Sequence, residues 1–182
     1  MGNGNGRGGL RLFFFILLLT FAFPLFSFPA RDVEILSGKE YFEKVKSLLE
    51  KAKESIQVVM FEMRYYPQYP LSPTNLLIQE LIKAKKRGVK VEVILDITSD
   101  FKKNSKENQE VGKILSHNGV KVIYDSLETL THAKIVIVDH RYCVIGSHNW
   151  SYHSLTQNNE VSLLVDSPPL AEALLKWIKE VR

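Results

Sequence analysis

The chain has 182 residues, a length that suits one domain of ordinary size. Hydrophobic residues make up 45% and charged residues 24%, which excludes a disordered, collagen-like or disulfide-stapled chain. The net charge of +4 is too small to indicate a nucleic-acid partner by itself. The one cysteine, Cys143, can form neither an internal disulfide nor a cysteine-based zinc site.

The first 30 residues have the pattern of a targeting segment. Arg7 and Arg11 precede an apolar run over residues 12–26, as in a secretory signal. The run is short for a membrane span of about 20 residues, and no clean cleavage site follows it. We expect residues 1–30 to be a signal peptide or an N-terminal membrane anchor, with a buried hydrophobic helix as a third alternative. Residues 31–182 are expected to form one folded domain, exported to a periplasm or secreted.

Hydrophobic periodicity predicts alternating strands and helices over the first part of this domain. In chain order we expect a strand at 32–36, a helix at 37–54, a strand at 56–63, a helix at 72–86, a strand at 89–95, a helix at 109–117 and a strand at 120–124. Two segments are predicted as loops, the tyrosine- and proline-rich 65–72 and the lysine-rich 99–108. The alternation is typical of an α/β fold, so we expect a mixed, mostly parallel sheet with helices on both faces.

The last third departs from this alternation. Two apolar strands at 133–138 and 142–145 are joined by three polar residues, Asp139-His140-Arg141, as in a hairpin. A further strand is predicted at 160–165, and two prolines open a terminal helix over 170–181.

Polar residues suited to phosphate chemistry gather around this hairpin. His132 and Lys134 are two apart on a strand, so their side chains leave on the same face. The ammonium can bind an anion, and the imidazole can attack phosphorus or transfer a proton. After the hairpin, Gly146, Ser147 and Asn149 offer neutral donors for further phosphate oxygens.

An acidic residue completes the set. Glu160 lies at the head of a largely apolar strand, where its carboxylate could accept a hydrogen bond from His132 and hold the imidazole tautomer.

This arrangement resembles the HKD motif of the phospholipase D superfamily, here His132-x-Lys134-x4-Asp139 followed by Gly146-Ser147-x-Asn149. The resemblance implies a phospholipase-D-like catalytic domain over residues 31–182 that cleaves phosphodiesters through a covalent phosphohistidine, without metal or other cofactor. In the family, one histidine attacks phosphorus, and the histidine of a second motif protonates the leaving oxygen and then activates water.

The resemblance also assigns roles to residues. His132 is implied to be the nucleophile or the acid, and Lys134 and Asn149 to bind phosphate. Ser147 is implied to support that site and Glu160 to orient His132. Asp139 matches the aspartate of the motif, which is mainly structural in the family. Only one such motif occurs here, so the resemblance implies a symmetric homodimer with one motif from each chain.

Three functions are compatible with this pattern. The first is a non-specific endonuclease that hydrolyses DNA, or RNA. The second is a membrane-anchored phospholipid phosphodiesterase, suggested by the apolar N-terminal run. The third is an inactive nucleic-acid-binding module, against which the intact motif residues argue.

Other residue groups have less specific interpretations. Lys102, Lys103 and Lys106 could contact a phosphate backbone or could simply be the solvent-exposed residues of a loop. Tyr65, Tyr66 and Tyr69 follow a strand end, where ligand-binding loops often lie. Cys143 is predicted to be a small buried hydrophobe. His140, His148 and His153 match no zinc-binding spacing, and Gly146-Ser147 lacks the surroundings of a serine-hydrolase nucleophile.

Overall fold

A computed structural model describes residues 27–180, so the apolar run at 12–26 and the end of the predicted terminal helix lie outside the described residues. The strands are β1 (Asp32–Ser37), β2 (Ser55–Met60), β3 (Lys90–Leu95), β4 (Lys121–Tyr124), β5 (Lys134–Val138), β6 (Tyr142–Gly146) and β7 (Val161–Asp166). The helices are α1 (Gly38–Lys51), α2 (Pro73–Lys86), α3 (Lys102–His117), α4 (Tyr152–Thr156) and α5 (Pro168–Glu180). No helix within residues 27–180 is long and apolar enough to cross a membrane.

The seven strands form one mixed sheet in the order β1-β7-β6-β5-β2-β3-β4. Only the pairs β2–β3 and β3–β4 are parallel, and the other four pairs are antiparallel. The prediction of a mostly parallel sheet was therefore wrong. A parallel pair needs a crossover of about a dozen residues or more, usually a helix. No helix separates β4 from β5, so the connection between them is not a parallel crossover. The strands β5 and β6 form the predicted hairpin and are therefore antiparallel.

Helices cover both faces of the sheet, as predicted. The larger core includes residues of α1, α2, α3 and α4, among them Tyr41 and Leu77, packed with Val58 and Val136 of the sheet. The smaller core joins α5 to the opposite face. It contains Cys143, which is buried as predicted.

The predicted loop at 99–108 is a helix, so this prediction was also wrong. A 3₁₀ turn at Ser99–Phe101 leads into α3. The buried face of the first turns of α3 carries polar side chains, Asn104, Ser105 and Asn108. Their side chains donate to the main-chain oxygens of other segments. A helix buried through amide and hydroxyl groups lacks the apolar periodicity by which helices are recognised.

Asp139 closes the hairpin at the end of β5 remote from His132. The residue is in the left-handed region, with φ 53°, which an aspartate tolerates better than most residues. Its carboxylate accepts hydrogen bonds from the backbone N–H groups of Lys53, Glu54 and Ser55 at 2.8–3.1 Å. Burial raises the pKa of Asp139, but these donors outweigh it and hold the pKa below its ordinary value. Asp139 therefore ties the hairpin to the start of β2, which is a structural role.

Replacing Asp139 by alanine is expected to lower the free energy of unfolding by about 1–3 kcal/mol, because hydrogen bonds to the charged carboxylate are lost. Urea denaturation of the full chain measures the change, with Asp100→Ala, an exposed carboxylate, as the control. Because the folded pKa is depressed, the contribution is complete above the unfolded pKa of about 3.9 and disappears as pH falls through the folded value. Equal stability of the two variants at neutral pH would contradict this role.

Candidate active site

A cavity of about 400 Å³ lies at the edge of the sheet where β5 and β7 begin and β6 ends. The structure brings five of the predicted site residues together around it, along with Gly146: His132, Lys134, Ser147, Asn149 and Glu160. Asp139, at the far end of β5, is the one predicted residue that does not line it.

Lys134 and His132 form the centre of the cavity. The Lys134 side chain is only 7% exposed, whereas His132 is exposed. The Lys134 Nζ atom lies 3.0 Å from His132 Nδ1 and 2.6 Å from the His132 carbonyl oxygen. The Phe61 ring packs against both, with its centroid 4.5 Å from the imidazole centroid and 4.9 Å from the ammonium.

This contact determines the tautomer of the neutral imidazole. An ammonium group has only donors, so His132 Nδ1 must be the acceptor and the ring proton resides on Nε2. Nε2 is then the atom left to meet a substrate. Burial lowers the pKa of His132, and the neighbouring Lys134 charge lowers it further, while Asp96 opposes both effects.

Lys134 is surrounded by carboxylates. Burial lowers its pKa, and Glu160, Glu62 and Asp96 oppose that shift. The three acids follow or precede different strands, β7, β2 and β3 respectively. Their charges help to retain a charged ammonium in a largely desolvated position, which is the form that binds an anion.

Glu160 lies on the cavity wall but is not placed against His132. Its carboxylate accepts hydrogen bonds from Ser154 Oγ at 2.9 Å and from Asn158 Nδ2 at 3.1 Å. Burial raises its pKa, but hydrogen bonds from Ser147, Asn158 and Ser154 lower it more. The predicted hydrogen bond from His132 to Glu160 is not present among the described residues, and His132 Nδ1 meets Lys134 instead.

The loop after β6 is held by close packing with β7. A side chain on Gly146 would lie 2.2 Å from Ser162 Oγ and 2.4 Å from the Val161 carbonyl oxygen, so only glycine fits there. The Val161 N–H donates to Ser147 Oγ at 3.1 Å. The Asn149 N–H donates to Ser154 Oγ at 2.9 Å, so Ser154 connects this loop to Glu160.

His148 anchors this loop from below. It is fully buried, stacks on Tyr41 with ring centroids 4.1 Å apart, and its Nδ1 lies 2.8 Å from Ser162 Oγ. Burial lowers the pKa of His148, and the charge of Glu160 opposes this shift.

The three histidines considered above as a metal site are separated in the structure. His140 lies in the remote hairpin, and His153 contacts Gln157. Within residues 27–180, no cluster of three or more histidine, cysteine or acidic side chains could hold a metal ion.

A buried network that sequence reasoning missed supports the residue before His132. Asp96 is fully buried just after β3, and its Oδ1 accepts from the Thr131 N–H at 3.0 Å. Asn108 of α3 donates to the Asp96 carbonyl oxygen and the Phe61 carbonyl oxygen, both at 2.8 Å. The one available signal was an acidic residue directly after the strand predicted at 89–95.

Comparison with known proteins is consistent with this site. A family model described as "Cardiolipin synthase, PLD-like domain" matches residues 45–182. The chain belongs to the phospholipase D superfamily. The resemblance seen in the motif residues is therefore confirmed at the level of the family.

Relatives and solved structures of this superfamily cover most of the domain. "Phospholipase D" of Rickettsia typhi is 32% identical over 70% of this chain and 56% of its own length, so the chain spans a little over half of this relative. Nuc, a phospholipase D family member from Salmonella typhimurium, has a TM-score of 0.67 at 24% identity, covering 82% of this chain and 94% of Nuc. NucT from Helicobacter pylori has a TM-score of 0.65 at 17% identity, with the same coverages. These two structures share the phospholipase-D-like fold.

The electrostatic surroundings of His132 can be tested by titration. Removing the cation in Lys134→Gln is expected to raise the pKa of His132, and removing the anion in Asp96→Asn to lower it. The pH dependence of the imidazole NMR resonances measures both, with the His132 resonance assigned by its loss in His132→Gln. Identical titration curves in the wild type and both variants would contradict the proposed charge contacts.

Proposed function

We propose that this protein is a metal-independent phosphodiesterase that acts as an endonuclease on DNA or RNA. The observation that supports the proposal is the cavity that combines an ammonium, an imidazole and the neutral donors of Ser147 and Asn149. A phosphodiester placed there meets a cation, hydrogen-bond donors for its oxygens and a nitrogen nucleophile. These groups can stabilise the charge of the pentacovalent transition state.

The reaction proceeds in two displacements. Nε2 of one His132 attacks phosphorus, so that an N–P bond forms while the P–O bond to the leaving group breaks. A second imidazolium gives its proton to the leaving oxygen. The second imidazole, now neutral, removes a proton from water, the water oxygen attacks phosphorus, and the N–P bond breaks to regenerate His132.

Lys134 links substrate binding to the state of His132. In the structure its ammonium donates to Nδ1, which leaves the proton on Nε2. When the ammonium turns toward a bound phosphate, Nδ1 is released and can carry the proton itself. Nε2 then has a free electron pair for attack. Glu160 lies on the same wall without contacting His132 in the structure, and we propose that it accepts that Nδ1 proton once Lys134 has turned away.

The mechanism needs two histidines, and His132 is the one histidine that lines the described cavity. We infer that a second copy of the chain supplies the other. An exposed apolar patch borders the site on the sheet face that α5 partly covers. It consists of Val33 (53% exposed), Ile35 (70%), Val161 (55%) and Leu163 (42%). Ile35 and Leu163 are register partners, so the patch is contiguous, and Val161 directly follows Glu160. A symmetric contact over this patch brings two sites together.

Charge outside the cavity favours a polymeric substrate. Three lysines lie on the first turns of α3: Lys102, Lys103 and Lys106. Asn104, between them, donates to the Phe61 carbonyl oxygen at 2.6 Å, and the Phe61 ring packs on His132. The three lysines are exposed on the same helix turns, and we propose that they contact phosphates beyond the scissile one. We further propose that the protein acts outside the cytoplasm, following the export signal predicted for residues 1–30.

A phospholipid substrate is the second candidate, because the curated relatives that the chain partly covers carry the name phospholipase D. It uses the same histidine chemistry, with a lipid headgroup as the leaving group.

The reaction is tested with the purified full chain, plasmid DNA and excess EDTA. Wild type is expected to nick and degrade the plasmid. His132→Ala is expected to lose at least about 10³-fold in rate, as enzymes do when a nucleophile is removed. His117→Ala, an exposed histidine at the far end of α3, is the matched control.

The same two proteins are then given anionic phospholipid vesicles. Hydrolysis of lipid without hydrolysis of DNA would support the second candidate. Binding of DNA with no hydrolysis of either substrate would support an inactive binding module.

The composite site is tested with a dimer of two differently tagged chains, one wild type and one His132→Ala, isolated over both tags. Because both histidines serve one reaction, this dimer is expected to be as inactive as the double mutant. A separate variant, Ile35→Asp, places a charge on the patch and is expected to give a monomer by light scattering, with parallel loss of activity. A mixed dimer with half of the wild-type activity, or an active monomer, would contradict the shared site.

A further inference from the structure

A second cavity of about 750 Å³ lies beside the active site. Its lining is mainly aromatic and apolar, and we refer to it as the tyrosine groove. The residues that the argument uses are Arg64, Tyr66, Tyr69, Leu71, Tyr152 and His153. Neither the reaction proposed above nor the dimer patch uses this groove.

The groove is connected to the active site through two hydrogen-bonded segments of the chain. Tyr152 lies three residues after Asn149, which lines the catalytic cavity. On the other side, Arg64 forms an ion pair with Glu62, one of the acids whose charge acts on Lys134. The two segments are hydrogen-bonded to each other through their main chains. The Trp150 N–H donates to the Glu62 carbonyl oxygen at 3.0 Å, and the Arg64 N–H donates to the Trp150 carbonyl oxygen at 2.9 Å.

The groove has a rigid base and an exposed rim. The buried Asn75 side chain binds the main chain of Tyr66 and Tyr69 through three hydrogen bonds of 2.8–3.0 Å. The Tyr152 N–H donates to the Tyr66 hydroxyl at 3.1 Å, which joins the two walls. By contrast, the side chains of Tyr69 and Leu71 are 68% and 80% exposed. Large apolar side chains held in the open beside a reactive centre indicate a surface used for binding.

We propose that the tyrosine groove stacks an unpaired base of a single-stranded nucleic acid whose adjacent phosphate lies in the catalytic cavity. This inference rests on the proposed nuclease function and specifies its substrate. Aromatic rings next to cationic side chains are the features that single-strand binding uses, since every base has a π-face. Here Tyr69 and Tyr152 supply rings, and Arg64 in the same lining supplies a guanidinium, which is ion-paired with Glu62 and Glu107.

The groove fits a base better than the two alternative occupants. An acyl chain would remove water from the Arg64 guanidinium and the His153 imidazole and offer these polar groups no partner beyond those they already have in the protein. In a duplex the bases are stacked on each other, so a base reaches the groove only after it is unpaired at a cost of a few kcal/mol. The enzyme is therefore expected to prefer single strands to duplexes of the same sequence.

The test uses the full chain and three oligonucleotides of one length: a single strand, its duplex, and a single strand in which abasic sites replace the bases. Wild type is expected to have a higher kcat/KM on the single strand than on either of the others. Tyr69→Ala is expected to raise KM on the single strand by about 5- to 100-fold, the range measured for lost base stacking, with kcat retained. Tyr69→Phe keeps the ring and is expected to restore the wild-type KM.

Each outcome has a distinct meaning. If Tyr69→Ala leaves the ratio of kcat/KM on the single strand to that on the abasic strand unchanged, the groove does not stack bases. If wild type cleaves the duplex and the single strand equally well, the inference is overturned while the nuclease function stands. If wild type cleaves no oligonucleotide but hydrolyses phosphatidylglycerol vesicles, both the inference and the nuclease function are overturned.

Discussion

The active site depends on keeping one ammonium charged where little water reaches it. Lys134 is 7% exposed and lies under an aromatic ring, so burial favours its neutral form. Carboxylates at the ends of three strands oppose that tendency. Lys134 and these carboxylates lie at the ends of different strands, so they come together because those ends converge on one edge of the sheet. The mixed topology produces this convergence, because the reversed strand β5 starts where β2 and β3 end.

Amide side chains maintain this convergence. Asn104 and Asn108 extend from α3 to the main chain after β2, and Asn108 also binds the main chain after β3. The buried carboxylate of Asp96 then holds Thr131, the residue before His132. Because these contacts use backbone groups, the position of His132 depends on the shape of the main chain more than on the neighbouring side chains. Because α3 is held by these hydrogen bonds, its outer face can carry exposed lysines while its position relative to the site stays fixed.

The sequence allowed the local arrangement of the site residues to be predicted, but not the topology. A strand period of two places His132 and Lys134 on one face, and the structure confirms that they meet. Strand direction depends on which segments pair, and the alternation of elements in β1 to β4 does not reveal that β5 inserts antiparallel beside β2. The first turns of α3 were missed because their buried side chains are polar. His148 and Ser154 were missed for a similar reason, since a histidine and a serine in a polar loop carry no signal of burial.

The apolar patch and the cavity adjoin along the chain. Val161 on the patch and Glu160 on the cavity wall are adjacent residues, and the β7 main chain also holds Ser147. In the proposed dimer, a partner on the patch would therefore contact the strand that holds the loop after β6 as well as supply a histidine. The tyrosine groove opens on the other side of the same loop, through Tyr152. Residues 147–153 thus lie between the tyrosine groove and the proposed subunit contact, and hydrogen bonds of His148 and Ser154 hold this segment in place.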